Sequence, residues 1–169
     1  MFGGYYETAA APDNNYICFC KIKIQREWGR VAVTCALNCN RYFSGFLSIA
    51  WWSQTFPAVT PFYDIKFTGA IHEYIYKEFG EPIVFTYSET TTTIYGWIYK
   101  HDGNFPQILY LLQNLQGAQI ESLDTDNPTY TSSLPGDYGV KLQMRRDVST
   151  NNFTDQYTSD DLINESLFN

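Results

Sequence analysis

Apolar residues recur at every second position over most of the chain between Tyr16 and Leu123. Side chains two residues apart lie on the same face of a strand, so each such run presents an apolar face. The first two runs give the faces Cys18, Cys20, Ile22 and Ile24, and Val31, Val33, Cys35 and Leu37. Because only the short polar stretch 25–29 separates these runs, they are predicted to pair as a β-hairpin.

About eight strand-like runs follow one another along the chain. After the first two come Tyr42–Trp52, Phe62–Thr68, Pro82–Tyr87, Thr91–Lys100, Ile108–Leu112 and Ala118–Leu123. Asp102-Gly103 is a strong hairpin signal between two of them. Residues 69–79 are the best helix candidate, but their β-branched and aromatic residues leave a strand and loop open. We therefore predict an all-β fold, a single antiparallel β-sandwich of the jelly-roll type.

A change of composition divides the chain into three parts. Residues 1–15 form a predicted N-terminal arm, residues 16–124 the sandwich, and residues 125–169 an extended polar C-terminal tail rich in turn residues. Residues 140–144 could add one strand to it. The last residues resemble a helix start, with Leu162, Ile163, Leu167 and Phe168 as apolar positions. They are either a frayed end or an anchor that docks on a larger assembly.

The charge of the chain limits its partners. A formal net charge of -7 argues against binding to nucleic acid, because phosphate backbones need clustered Lys and Arg. No apolar stretch approaches the roughly 20 residues of a membrane-spanning helix, so no membrane insertion is expected. The first eleven residues contain no Lys or Arg, so no secretory leader is expected and synthesis is assigned to the host cytoplasm.

Four cysteines raise the question of a metal site. Cys18 and Cys20 lie inside a strand-like run, whereas structural zinc pairs usually lie on a turn, and Cys35 and Cys39 follow. Free cysteine is also among the most buried residue types. Reduced core thiols are therefore predicted, with zinc or a disulfide as the alternatives, and the metal prediction is none.

Catalytic signatures are missing from the sequence. Its two histidines, His72 and His101, lie in no known nucleophile or metalloprotease pattern, and the glycines form no phosphate-binding loop. Acidic pairs such as Glu78 with Glu81 are typical of solvated surface. We therefore expect a protein that is not an enzyme and that has no cofactor.

Aromatic residues make up 18% of the chain and indicate a binding surface. Tyr95, Trp97 and Tyr99 alternate with Ile94 and Ile98. If the isoleucines face the core, the three rings form an outward stripe that another chain or a ligand should cover. The alternative is a stripe that points inward, with the isoleucines packed under a loop.

Several segments together resemble a known family. They are Cys20–Ile24, Trp28–Val33, Tyr42–Ile49, Thr93–Lys100 and Gln107–Leu112. In this order they resemble the tumour-necrosis-factor-like jelly-roll domains at the tips of bacteriophage fibres, over roughly residues 16–121. The resemblance implies a homotrimer that recognises a receptor with its tip loops, and a late strand that pairs with the next through a tight turn.

The resulting hypothesis is a virion protein, a tail, head or appendage fibre knob, that attaches to a host-surface glycan or protein. The predicted ligand contacts lie at loop ends: Trp52, Gln54, Phe56, His101, Asp102 and Asn104. The stripe Tyr95, Trp97 and Tyr99 would be the subunit interface, and the C-terminal tail would bind other virion proteins. The alternatives are an architectural capsid or connector subunit and a monomeric carbohydrate-binding module.

Overall fold

The structure is a computed structural model that describes residues 4–7, 10–39, 43–53, 62–72, 82–100 and 107–151. The described residues form twelve β-strands in two sheets and include no helix. The predicted all-β sandwich is therefore confirmed. None of the described segments is a helix long and apolar enough to cross a membrane.

The first sheet has six strands in the order β1-β8-β3-β4-β5-β12. Its strands are β1 (Gly4–Glu7), β3 (Arg30–Cys39), β4 (Phe43–Trp52), β5 (Phe62–His72), β8 (Gln107–Gln116) and β12 (Arg145–Asn151). All neighbours are antiparallel except β5 and β12, which run parallel. The meander β3-β4-β5 at its centre follows the chain order.

The second sheet has the order β10-β2-β7-β6-β11, with β9 also paired to β2. Its strands are β2 (Asn15–Ile24), β6 (Ile83–Ser88), β7 (Thr93–Lys100), β9 (Ala118–Ile120), β10 (Tyr130–Thr131) and β11 (Val140–Leu142). β6 and β7 are rich in β-branched and aromatic residues and are buried almost throughout, as expected of strands that are covered on both faces.

Both predicted hairpins are wrong, because each connection takes the chain from one sheet to the other. β2 pairs with β7 and β9, whereas β3 pairs with β4 and β8. In the same way β7 belongs to the second sheet and β8 to the first. A hairpin and a crossover between packed sheets use similar turn residues, so the turn composition could not distinguish them.

The core lies between the sheets, and the alternation predicted most of it. The predicted face of β3 is buried, with Val31, Val33, Cys35 and Leu37 in the main apolar cluster. Opposite it, β2 contributes Ile22 and Ile24. The predicted grouping of Cys18 with Cys20 is wrong, because a register shift between them places Cys18 on the outer face of the sheet.

The sandwich extends beyond the predicted limits at both ends. Residues 4–7 of the predicted N-terminal arm form β1, which pairs with β8. Within the predicted tail, β10 and β11 join the second sheet and β12 the first. Residues 4–151 therefore belong to one two-sheet unit wherever they are described, and residues 152–169 lie outside the described residues.

Candidate functional site

The outer face of the second sheet is covered by the chain itself. Four of its side chains form an apolar cluster on this face: Cys18, Val84, Tyr95 and Trp97. Leu123, Leu134 and Tyr138, from residues 121–139 (the cover segment), pack against that cluster. The ring centroid of Tyr138 lies 4.6 Å from that of Trp97 and 5.2 Å from that of Tyr95.

Tyr95 and Trp97 of the predicted aromatic stripe point away from the core, as predicted. A segment of the same chain covers them, where a second subunit was expected. Ile94 and Ile98 belong to the main core, so Tyr95 and Trp97 point to the opposite face. Within the single chain their relative exposure is only 7% and 0%, and Trp97 Nε1 donates to Thr86 Oγ1 at 2.9 Å. The cover segment occupies the place that the hypothesis gave to a second subunit. Tyr95 and Trp97 therefore offer no surface for an interface, which corrects that assignment.

Tyr99, the third member of the stripe, is half-buried. Its ring lies 5.1 Å from that of Tyr16, in an edge-to-face arrangement. Tyr16 in turn packs against the apolar cluster of Tyr95 and Trp97, so Tyr99 lies at the margin of that cluster.

The outer face of the first sheet is much more exposed. Phe46, Leu109 and Leu112 are each 43–56% exposed on β4 and β8. Ala36 pairs with both Phe46 and Leu109, and Thr34 with Leu112. Between and beside them stand small uncharged side chains: Ala32, Thr34, Ala36, Ser44, Ser48, Ala50, Thr68 and Ala70. We call this surface the flat face.

Three aromatic side chains lie at one end of this sheet. Trp28, in the turn before β3, is 52% exposed, and Phe62, at the start of β5, is 77% exposed. Trp52, at the end of β4, is half-buried between them, with ring centroids 5.9 Å from Trp28 and 6.3 Å from Phe62. We call this group the aromatic end.

The strand register explains why these rings meet. Arg30 pairs with Gln116 on β8 and with Trp52 on β4, and Trp52 pairs in turn with Phe62 on β5. Directly opposite residues share a face, so the four side chains form one row across four strands. Trp28 precedes Arg30 by two residues and extends the row into the turn.

The backbone of Trp28 is held in an unfavourable conformation. Its φ is 60°, in the left-handed region that bulky side chains rarely adopt. Such a conformation costs roughly 1–3 kcal/mol and persists only where the surroundings impose it. The turn therefore presents a large apolar ring to solvent at a cost in stability, and that combination is typical of binding sites.

Two adjacent depressions flank the aromatic end and share Arg30. The first, about 640 Å³, is lined by Arg26, Glu27, Trp28, Arg30, Leu115, Gln116 and Gly117. The second, about 400 Å³, is lined by Arg30, Val31, Ala50, Trp51, Trp52, Phe62, Tyr63 and Asp64. Both volumes lie in the range of small-molecule sites.

The carboxylate that lines the second depression, Asp64, is paired with Arg145. Arg145 donates two hydrogen bonds to the Asp64 carboxylate, at 2.7 and 2.6 Å. The hydrogen bonds from Arg145 lower the pKa of Asp64, and the same bonds raise the pKa of Arg145. The pair is exposed, so it orients the two side chains more than it stabilises the fold.

Only Trp52 of the predicted contact residues can be placed, and it belongs to the aromatic end. Gln54, Phe56, His101, Asp102 and Asn104 lie outside the described residues, as do the tail residues Leu162, Ile163, Leu167 and Phe168. The sequence prediction missed Trp28, Arg30 and Phe62. Two of them carry a signal in the sequence. Trp28 is an aromatic residue inside a polar turn, and Phe62 directly follows a proline.

Three of the four cysteines can be compared with the prediction of core thiols. Cys18, Cys20 and Cys35 are free thiols in the interior, as predicted, and the side chain of Cys39 lies outside the described part of the chain. Burial raises the pKa of Cys18 to about 12 and also raises that of Cys35. Within the described segments, no group of three or more His, Cys, Asp or Glu residues could hold a metal ion.

Comparison with protein-family models, with curated proteins and with solved structures finds no match to this chain.

Proposed function

We propose that this protein is a non-enzymatic bacteriophage virion protein that attaches the particle to a host-surface glycan. The observation that carries the proposal is the aromatic end, where Trp28, Trp52 and Phe62 stand exposed or half-buried beside Arg30. Trp and Arg are the residues most enriched at binding hot spots. The resemblance of the sequence to phage fibre tips supplies the virion context.

The geometry suits the faces of sugar rings. The C–H face of a sugar can stack on an indole ring, while its hydroxyl groups bond to amide and guanidinium groups. Gln116 and Arg30 supply such groups in the same row as Trp52. A shallow site of this kind binds weakly by itself, and several copies on one particle raise the avidity by orders of magnitude.

The flat face supports the proposed homotrimer. Between Ala32 and Asn38 on β3, and throughout β4, no residue is charged. Copies of a chain with a net charge of -7 repel one another, and a contact through these uncharged stretches of β3 and β4, which Asp64 and Lys66 border on β5, keeps that repulsion small. We therefore place the subunit contact around Phe46, Leu109 and Leu112 and no longer at Tyr95 and Trp97.

A glycan array tests the attachment function. The full chain, labelled at its N-terminus and displayed on beads, should bind a subset of glycans, and Trp52→Ala should reduce that signal about tenfold or more. Val140→Ala changes an exposed apolar residue on the second sheet, away from the aromatic end and the flat face, and should bind like wild type. Urea unfolding of each variant checks that the fold is intact. Binding that Trp52→Ala leaves unchanged would refute the proposed site, and no binding to any glycan would refute the function.

The monomeric carbohydrate-binding module is the second candidate. It is favoured by the cover segment, which buries Tyr95 and Trp97 within a single chain, so that these rings need no second subunit. It uses the same aromatic end, and the oligomeric mass in solution separates it from the first candidate.

A further inference from the structure

The first depression is lined by two arginines and a single carboxylate, that of Glu27, so its lining carries a net positive charge. Arg26 and Arg30 both line it, next to Trp28. Within the described part of the chain neither forms an ion pair, although other cations do. Examples are Lys21 with Glu121, Lys100 with Asp13, and Arg145 with Asp64. On a protein with a net charge of -7, a depression whose lining carries a net positive charge is a local exception.

Each arginine is positioned by a neighbour that leaves most of its donors available. Arg30 Nη1 donates to Gln116 Oε1 at 3.1 Å, and a guanidinium group has five N–H bonds. The stem of Arg26 lies against Gly117, whose φ is +63°. A Cβ at Gly117 would lie 2.8 Å from Arg26 Cγ, so the absence of a side chain there gives Arg26 its place.

We infer that the ligand of this site is an acidic oligosaccharide, a chain of sugar units that carries carboxylate groups. This inference rests on the proposed attachment function and specifies its ligand class. Sugar rings stack on Trp28 and Trp52, and a carboxylate accepts paired hydrogen bonds from Arg30, because the planar guanidinium matches the two carboxylate oxygens. Arg26, which lines the same depression as Arg30, adds a second positive charge there.

The two depressions indicate a ligand of several units. They share Arg30 and continue past Trp52 to Phe62. The acidic unit therefore lies near Arg30, and neighbouring units extend over the aromatic end. In the second depression the lining carboxylate of Asp64 is already paired with Arg145, so the part beyond Arg30 receives a neutral unit. Glu27, in the first depression, weakens the attraction, and Glu27→Gln should strengthen binding.

An array of matched glycan pairs tests the inference. Each uronate- or sialate-containing oligosaccharide is printed beside the same compound with its carboxylates methyl-esterified, which removes the charge and keeps the rings. The full chain should bind the acidic member about tenfold more strongly or better. Arg30→Gln and Arg26→Gln should abolish this preference. Lys141→Gln also removes one positive charge, but from the second sheet, and this variant should keep the preference for the acidic glycan.

The outcomes separate this inference from the attachment function. Acidic binding that falls with added salt and with either arginine substitution supports both. Equal binding of both members, or a preference that survives Arg30→Gln, overturns the inference and leaves the attachment function standing. No binding to any printed glycan overturns the attachment function itself.

Discussion

At the scale of single residues, one extra residue in β2 decides which side chains face the core. The register shift lies between Cys18 and Cys20: Ile17 faces the main core before it, Phe19 is the extra residue and also packs in that core, and Cys20, Ile22 and Ile24 face the core after it. The partner strand accommodates this bulge with Gly96, which pairs with Cys20. A β-bulge of this kind changes the phase of a strand, which an alternation rule assumes to be constant.

Gly96→Ala should therefore destabilise the fold. The added Cβ would lie 2.9 Å from Cys20 Cβ, Phe19 Cζ and Phe85 Cε1, which is closer than such atoms normally approach. Overpacking of this kind costs about 1–3 kcal/mol of unfolding free energy, which exceeds the gain in backbone entropy from replacing glycine. Urea unfolding measures the loss.

Gly136→Ala is the matched control. At Gly136 a Cβ would meet only the Ser133 carbonyl oxygen, at 3.5 Å, so its unfolding free energy should stay within about 0.5 kcal/mol of wild type. Equal stability of the two variants would contradict the proposed role of Gly96.

At the scale of strands, the sequence predicted the elements better than their arrangement. Alternation and β-branched residues located β3 and β4 closely, because one face of each is buried and the other exposed. The alternation could not assign β2 and β3 to different sheets, because strands of both sheets alternate with the same period of two residues. The short strands β10 and β11 have two and three residues, too few for any period, and they are held by pairing with β2 and β6.

The cover segment should contribute measurably to stability through Tyr138. Tyr138→Ala removes the edge-to-face contacts with Trp97 and Tyr95 and uncovers both rings. The expected loss is about 2 kcal/mol of unfolding free energy, since Tyr138 is half-buried. Tryptophan fluorescence of the folded variant should shift to longer wavelength as Trp97 meets water.

Tyr130→Ala controls for the loss of a tyrosine elsewhere in the same segment. Its side chain is 50% exposed, so its removal should change the unfolding free energy by no more than about 0.5 kcal/mol. If Tyr138→Ala were equally harmless, the second sheet would not depend on the cover segment.

At the scale of the whole molecule, the two outer faces differ in kind. The second sheet has its aromatic residues covered by residues 121–139, whereas the first sheet presents Phe46, Leu112 and the aromatic end to solvent. Trp52 was predictable as a site residue, because two adjacent tryptophans on a strand cannot both face the core. Its partners were not predictable, since Trp28 and Phe62 are distant in sequence and meet only through the strand register.

The central claim is that the flat face joins copies of this chain. The mass of the protein in solution tests it most directly. Light scattering should give three times the chain mass of 19.5 kDa for the wild type. Phe46→Glu and Leu112→Glu should each give a single chain, because a buried unpaired charge is costly. Val140→Glu changes an exposed apolar residue on the second sheet and should stay trimeric. A wild-type mass of one chain at every concentration would contradict the account.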